Sequence, residues 1–289
     1  MQYLLYLFFY PFLWCISILP FRILYLFSDF VYILVYRIIG YRKKTVRENL
    51  AMALPHLTKE ERIGIEKKFY HHLCDLFLEM IKTMSISKAE ISKRYVFTNI
   101  EVYKEIEKKE KSIALMCAHY ASYEWAVSLN YHSSFKSFGI YKQIKNPYFD
   151  KLVHSIRSRF KAHLITTKET IPTIINNSNN NILSVYGFAS DQSPKENSAY
   201  HWTKFMGIEV PVHTGAEMLA KRYNMNAVFL KTKKIKRGYY EATIELLSDN
   251  VREIPNYDLT DQFLKLVEQQ IYEAPEYYLW THKRWKYRR

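Results

Sequence analysis

The sequence predicts an α/β protein with a mostly parallel central sheet flanked by helices and an amino-terminal membrane helix. Three observations predict this arrangement. Short apolar runs alternate with helical patterns through residues 40–289, which is typical of a parallel sheet covered by helices. No charged residue occurs from Met1 to Phe21. Of the 289 residues, 48% are hydrophobic, which is enough for a sizeable core.

The chain is strongly basic, with 42 Lys and Arg against 28 Asp and Glu, which gives a net charge of +14. Such an excess favours nucleic acid, acidic lipid surfaces or acidic carrier proteins as partners. The 25 Tyr and 17 Phe suit a membrane interface and also single-stranded nucleic acid, so composition alone leaves both open. Three scattered cysteines predict neither a disulfide framework nor a zinc site: Cys15, Cys74 and Cys117.

The charge-free amino-terminal segment approaches the roughly 20 residues that a membrane-spanning helix needs. It lacks the basic start and the small-residue cleavage site of a signal peptide. Pro11 and Pro20 allow a kinked helix or one that lies in the membrane interface, so spanning and interfacial arrangements both stay open. A buried core helix is the remaining alternative.

Five basic residues follow this segment: Arg37, Arg42, Lys43, Lys44 and Arg47. No acid lies between Asp29 and Glu48, and basic residues beside a first membrane segment stay on the cytoplasmic side. We therefore expect a membrane anchor over residues 1–39. Residues 40–289 form one cytoplasmic domain in this interpretation, because no linker-like composition divides them.

The first helices of this domain are marked by their ends. Residues 43–53 predict a helix that stops before Pro55. Thr58 and Glu61 form a capping-box pattern, which predicts the start of a long helix that reaches about Met84.

Strands and helices then alternate. Apolar runs predict strands at residues 95–97, 112–118, 135–141, 162–166, 182–188, 227–231 and 240–246. Helical patterns predict helices that begin near Ser122 and that cover 147–160, 215–223 and 259–273. The run 112–118 is apolar throughout, which is typical of a strand buried on both faces. The Asn-rich stretch 176–181 predicts a loop.

The chemically most informative local feature is the segment from His119 to Glu124. His119 follows the predicted strand 112–118, and ligands of open α/β sheets collect outside the carboxyl ends of strands. On one continuous helix the two residues would lie about 140° apart and could not meet. With His119 in the turn and Glu124 in the first helical turn, the carboxylate can accept from one ring nitrogen. The other nitrogen is then free to take a proton.

This segment resembles the H-x-x-x-x-[DE] motif of glycerolipid and lipid A acyltransferases, and the likeness continues along the chain. Further stretches resemble successive blocks of the lipid A late acyltransferase family: 36–50, 141–147, 157–160, 191–194, 202–205, 211–217 and 280–286. Several ordered blocks at family-like spacing are far more specific than the histidine motif alone.

The resemblance implies an acyl transfer from an acyl carrier protein thioester to a hydroxyl of a lipid A precursor, without a metal or an organic cofactor. It implies His119 as general base with Glu124 as its partner. It also implies membrane lipids as surroundings, with the catalytic domain on the cytoplasmic face of the inner membrane.

Four further residues are predicted to bind substrate: Lys142, Arg159, Asp191 and Gln192. A guanidinium binds oxyanions through two parallel hydrogen bonds, so Arg159 suits a phosphate or sugar of the acceptor, although an ordinary surface charge is the alternative. Asp191 ends a buried strand, where it could orient Arg159 or cap the turn through Pro194. The basic stretch 283–289 is open to anionic lipid, to an acidic carrier protein or to solvent.

Three other functions stay as alternatives. The first is acylation of another membrane lipid, either a glycerophospholipid or an amino-acid lipid. A basic, aromatic nucleic-acid-binding protein is the second, and the apolar amino terminus and the placement of His119 and Glu124 count against it. The third is an inactive membrane scaffold, which the presence of both residues disfavours.

Overall fold

The computed structural model describes residues 2–289 of the chain, apart from the side chains of Gln2 and Ser198. Its α-helices are α1 (Gln2–Ile18), α2 (Phe21–Tyr32), α3 (Lys43–Ala53), α4 (Lys59–Lys82), α5 (Lys88–Arg94), α6 (Ile100–Glu107), α7 (Pro147–Ser158), α8 (Thr170–Asn179), α9 (Gly215–Arg222) and α10 (Asp258–Glu273). A π-helix (Ile33–Ile39) and the 3₁₀-helices Tyr123–Tyr131, Glu196–Ser198 and Pro275–Tyr277 complete the helical elements described.

Seven strands form the main sheet, in the order β1-β9-β8-β2-β5-β3-β4. The nine strands described are β1 (Tyr95–Phe97), β2 (Ile113–Cys117), β3 (Lys136–Tyr141), β4 (His163–Thr166), β5 (Ser184–Ala189), β6 (His201–Phe205), β7 (Ile208–Val212), β8 (Asn226–Lys236) and β9 (Tyr239–Ser248). All neighbours in the main sheet are parallel except β8 and β9, and β6 and β7 form a separate hairpin. The predicted α/β class with a mostly parallel sheet is confirmed.

Strand β2 is central, between β5 and β8, and four of its five residues are buried. The long helix α4 begins at the predicted cap: the Thr58 hydroxyl accepts from the Glu61 backbone N–H, and the Glu61 carboxylate accepts from the Thr58 backbone N–H at 2.7 Å. The buried strand β2 and the start of α4 are both predictable from local sequence, because an all-apolar run and a capping box can be recognised without knowledge of distant residues.

Three expectations about secondary structure are wrong or incomplete. The stretch 176–181, predicted as a loop, mostly belongs to α8, because Asn177 is buried and its amide donates to the Tyr186 hydroxyl at 3.0 Å. The helix expected near Ser122 is a 3₁₀-helix. The β6–β7 hairpin was not predicted, and its buried apolar residues include Phe205, Val210 and Val212.

The amino-terminal helices present an apolar surface. Among residues 2–289 no single helix is long and apolar enough to cross a membrane. The segment Phe21–Ile39 together with α3 has the length and composition, but the two parts meet at a bend of 91°. Exposed apolar side chains of this region include Leu4, Phe8, Phe12, Ile23, Leu26, Phe30, Ile38 and Ile39.

The opposite side of α1 packs on the domain. Tyr6, Tyr10 and Leu13 contact a small apolar cluster that contains Leu152 and Ile156 of α7. Near the end of α1, the Lys82 ammonium donates to the carbonyls of residues 17 and 19 at 2.7 and 2.8 Å. A cation at these free carbonyls stabilises the helix end, so α1 is fixed by both packing and charge.

Helix α2 is fastened to the sheet by the turn between β8 and β9. Arg237 in this turn binds Asp29 of α2 at 2.6 Å and Asp75 of α4 at 2.7 Å. Asp75 is buried and also accepts from the Ser28 hydroxyl at 2.7 Å. Because Asp75 is buried, it needs these donors, and one guanidinium therefore joins two helices to the sheet.

The next residue of this turn, Gly238, provides the first prediction. It has a φ of +74°, and a Cβ there would collide with the Tyr25 hydroxyl, whereas Gly207 has a φ of +77° with no atom within 4 Å of such a Cβ. Both Gly→Ala variants therefore carry a similar backbone cost. We expect Gly238→Ala to lose about 1–3 kcal/mol more, from overpacking, in the free energy of unfolding measured with urea. Equal losses in the two variants would show that the contact with Tyr25 relaxes freely.

Candidate active site

His119 lies in the turn that follows β2. The turn is held from the opposite side, since the Leu279 backbone N–H donates to the His119 carbonyl at 3.1 Å and Tyr120 forms a β-bridge with Tyr278. Ala121 adopts a φ of +49°, which turns the chain sharply towards the 3₁₀-helix. His119 is thus presented at the carboxyl edge of the sheet, as predicted from the sequence.

Asp191 is the carboxylate that contacts the His119 ring. Its Oδ1 lies 2.7 Å from the His119 Nδ1 and accepts from the His119 backbone N–H at 3.0 Å. The sheet produces this contact: Cys117 of β2 pairs with Ala189 of β5, so the residues two positions later leave adjacent parallel strands side by side. The Asp191 side chain is 1% exposed, and the His119 side chain is 20% exposed.

The pair has shifted pKa values in opposite directions. Burial lowers the pKa of His119, but the charge and hydrogen bond of Asp191 outweigh it and the pKa is raised. Burial raises the pKa of Asp191, but the contacts with His119 outweigh it and the pKa is lowered. An ionised Asp191 can only accept, so Nδ1 carries the proton of the neutral ring and Nε2 is left as the proton acceptor.

The predicted contact between His119 and Glu124 is wrong as a hydrogen bond of the ring. Glu124 instead binds Arg157 of α7 through two hydrogen bonds of 2.8 and 2.5 Å. Glu124 is nevertheless close enough for its charge to raise the pKa of His119. The spacing along the chain suggested Glu124 as the partner of the His119 ring. The pairing of β2 with β5 instead places Asp191, 72 residues away in the sequence, beside this ring.

Arg157 was missed in favour of Arg159, two residues further on. Arg159 donates to the carbonyls of Met84 and Ile86, the latter at 3.0 Å, so its guanidinium joins the end of α7 to the connection between α4 and α5. The suggested pairing of Asp191 with Arg159 is therefore also wrong. Arg157 and Arg159 both lie at the end of α7, and nothing in the sequence alone distinguishes which of them faces Glu124.

The two remaining candidates have fewer contacts. Lys142 is exposed just beyond β3, and Gln192 is half-buried beside Asp191. Neither side chain takes part in the hydrogen bonds found within residues 2–289. Both residues follow the carboxyl ends of strands, Lys142 after β3 and Gln192 after β5.

Burial keeps two titratable groups near the pair neutral. Burial, together with the nearby Arg284 and His119 charges, lowers the pKa of His282 to about 4. Burial raises the pKa of the Cys117 thiol to about 12, which argues against a thiolate nucleophile. His119 is thus the histidine of this region that binds a proton most readily. Within residues 2–289, no group of three or more His, Cys, Asp or Glu side chains is placed to hold a metal ion.

Comparison with known proteins identifies a family that this chain matches over almost its full length. The model of the bacterial lipid A biosynthesis acyltransferase family matches residues 1–287. The chain is similar to the lipid A biosynthesis lauroyltransferase of Escherichia coli (strain K12), with 22% identity over 277 residues, which cover 96% of this chain and 89% of the relative. The likeness therefore extends over almost the entire chain and is not confined to the histidine motif.

The second prediction concerns the titration of His119. Asp191→Asn removes the main charge that opposes burial, so we expect the pKa of His119 to fall below its ordinary value of 6.5. The imidazole chemical shifts of His119 as a function of pH measure this. Asp261→Asn is the matched control, because Asp261 contacts another histidine, His201, at 2.9 Å and should leave His119 unchanged. An unshifted His119 in Asp191→Asn would contradict the pairing.

Proposed function

The chain belongs to the bacterial lipid A biosynthesis acyltransferase family, and on that premise we propose that it moves a fatty acyl chain from an acyl carrier protein thioester to a hydroxyl of a lipid A precursor. The observation that carries this proposal is the His119–Asp191 pair at the carboxyl edge of the sheet. It combines an available proton acceptor with a buried carboxylate, which is what activation of a hydroxyl requires.

In the proposed reaction, His119 Nε2 takes the proton of the lipid hydroxyl while the hydroxyl oxygen attacks the thioester carbonyl carbon. A new C–O bond forms, and the C–S bond breaks when the tetrahedral intermediate collapses. The imidazolium then returns its proton to the departing sulfur. Asp191 holds the Nδ1–H in place and stabilises the positive ring, so no covalent enzyme intermediate is needed.

The Glu124–Arg157 pair is the second part of the proposed machinery. Arg157 uses Nε and Nη2 on Glu124, and its Nη1 makes no hydrogen bond to any residue that the structure describes. We assign to this nitrogen a contact with the oxyanion that develops on the thioester carbonyl. Glu124 holds the guanidinium in orientation, which preserves a role for Glu124 without direct contact to the imidazole.

The roles proposed for the acceptor-binding residues change accordingly. Gln192 and Lys142 remain candidates for contact with the phosphorylated sugar. Arg159 becomes a weaker candidate, because two of its nitrogens already bind main-chain carbonyls. The positive charge of Arg159 still attracts a phosphate. However, the two nitrogens Nη1 and Nη2, which would bind a phosphate through parallel hydrogen bonds, already donate to main-chain carbonyls.

We also propose that the protein rests on the cytoplasmic face of the inner membrane. The exposed apolar side chains of α1, α2 and the π-helix support this, and so do the exposed Arg37, Arg42 and Lys44 beside them. Apolar residues flanked by cations suit the boundary between lipid tails and anionic headgroups. The 91° bend favours helices that lie along this boundary.

The third prediction tests the general base. His119→Ala should lower kcat by about 10²-fold or more in detergent, measured as transfer of a labelled acyl chain to a lipid A precursor, because the hydroxyl loses its proton acceptor. His201→Ala is the matched control, since the His201 side chain is also 20% exposed and also contacts a carboxylate. A folded His119→Ala enzyme with normal turnover would rule out the mechanism.

The fourth prediction tests the apolar surface. Leu4 and Phe8 are exposed one helical turn apart on α1, so changing both to Asn should spare the fold and weaken binding to vesicles at least tenfold. The control changes Ile235 and Leu246, exposed apolar residues of the β8–β9 hairpin, to Asn. Flotation with liposomes measures both variants. Equal binding of the two variants would show that membrane contact lies elsewhere.

A further inference from the structure

A cationic surface lies on the segment 280–289. This segment has five basic residues and no acid. Four of the five are exposed, and we call these four the cationic surface: Lys283, Lys286, Arg288 and Arg289. None of them is among the ion pairs that the described residues form, whereas cations such as Lys231 and Arg237 are neutralised by carboxylates. The surface therefore presents uncompensated charge.

The cationic surface has a fixed place in the fold. The indole of Trp285 is buried and lies 6.0 Å from the Phe205 ring, centroid to centroid. The backbone N–H of Arg289 donates to the Glu209 carbonyl at 3.0 Å, and its guanidinium lies 3.7 Å from the centre of the Trp202 ring. The segment is thus attached to the β6–β7 hairpin at Trp285 and at Arg289, so it is not a freely solvated tail.

This surface adjoins the candidate active site. Leu279, four residues before Lys283, donates its backbone N–H to the His119 carbonyl at 3.1 Å. On the other strand of the site, Ser193 follows Asp191 by two residues and donates its hydroxyl to the Arg284 carbonyl at 2.5 Å. The segment that carries the cationic surface is therefore joined directly to both strand ends that carry His119 and Asp191.

The surroundings favour a protein over a bilayer as the partner. In residues 273–289 no large apolar side chain is exposed in the structure, because both tryptophans of this stretch are buried. The exposed apolar residues of α1 and α2, which suit lipid, belong to a different part of the chain. Tyr200, on the loop between Asp191 and β6, is 81% exposed and offers the kind of aromatic contact that protein interfaces use.

We propose that the cationic surface binds the acidic face of the carrier protein that delivers the acyl thioester. The proposal rests on the proposed function and adds where the donor docks. Complementary charge accelerates encounter and sets register, and its effect weakens as salt rises. The surface therefore governs the affinity for the protein-bound donor, while the His119–Asp191 pair governs the chemical step.

The test is a double charge reversal, Lys283→Glu with Lys286→Glu. We expect it to raise KM for the acyl carrier protein thioester about tenfold, because each reversal turns an attraction into a repulsion. It should leave kcat, and all constants for the same acyl chain on free pantetheine, within about twofold. Binding of fluorescently labelled carrier protein, followed by anisotropy, should weaken in parallel.

The matched control reverses two exposed lysines at the opposite edge of the sheet, Lys136 and Lys161, and should leave both donors unaffected. Three results overturn the proposal: an unchanged KM for the carrier protein thioester, an equal rise in KM for the pantetheine thioester, or a rise in KM seen only when vesicles of anionic phosphatidylglycerol are added to the assay. If the wild-type enzyme transfers from neither donor but binds carrier protein through Lys283 and Lys286, the proposed function fails while the docking surface stands.

Discussion

The hydrogen bonds between β2 and β5 align Cys117 with Ala189, and this register decides what the rest of the site can be. Parallel strands leave the sheet in the same direction, so His119 and Asp191 emerge as neighbours although 72 residues separate them. A shift of one residue would turn the alternate side chains to the opposite face and separate the pair. The four buried residues of β2 therefore maintain the geometry of the site as well as the stability of the fold.

Several buried carboxylates in this protein are each held by one specific partner. Asp191 is hydrogen-bonded to His119, whereas Glu124 and Asp75 form ion pairs with Arg157 and Arg237. Leaving one member of such a pair without its partner is costly, so each pair also fixes the elements that carry it. Within the described chain Asp191 Oδ2 and the Arg284 Nε and Nη2 have no hydrogen-bond partner. Burial lowers the pKa of Arg284, and the nearby Asp191 charge opposes this lowering.

Local patterns in the sequence predicted what depends on neighbours: the apolar run of β2, the Thr58 cap of α4, and the position of His119 after its strand. These patterns failed where contacts between residues far apart in the sequence determine the secondary structure or the partner of a side chain. Asn177 lies in a helix, where its amide donates to the Tyr186 hydroxyl. Glu124 binds Arg157, while Asp191, which follows β5, binds the His119 ring. The choice of Arg159 over Arg157 failed for the same reason, since only the fold shows which guanidinium faces Glu124.

The packing of α1 against Leu152 and Ile156 has a consequence for how the enzyme is handled. The same helix, α7, carries Arg157 one residue beyond Ile156, so the packing of α1 helps to hold the helix whose guanidinium binds Glu124. A shortened form that lacks α1 exposes Leu152 and Ile156 of α7 to solvent. A lower turnover in such a form therefore has two candidate causes: a displaced Arg157 side chain and the loss of the proposed contact with lipid. The two causes are separated by keeping α1 and substituting only its exposed residues.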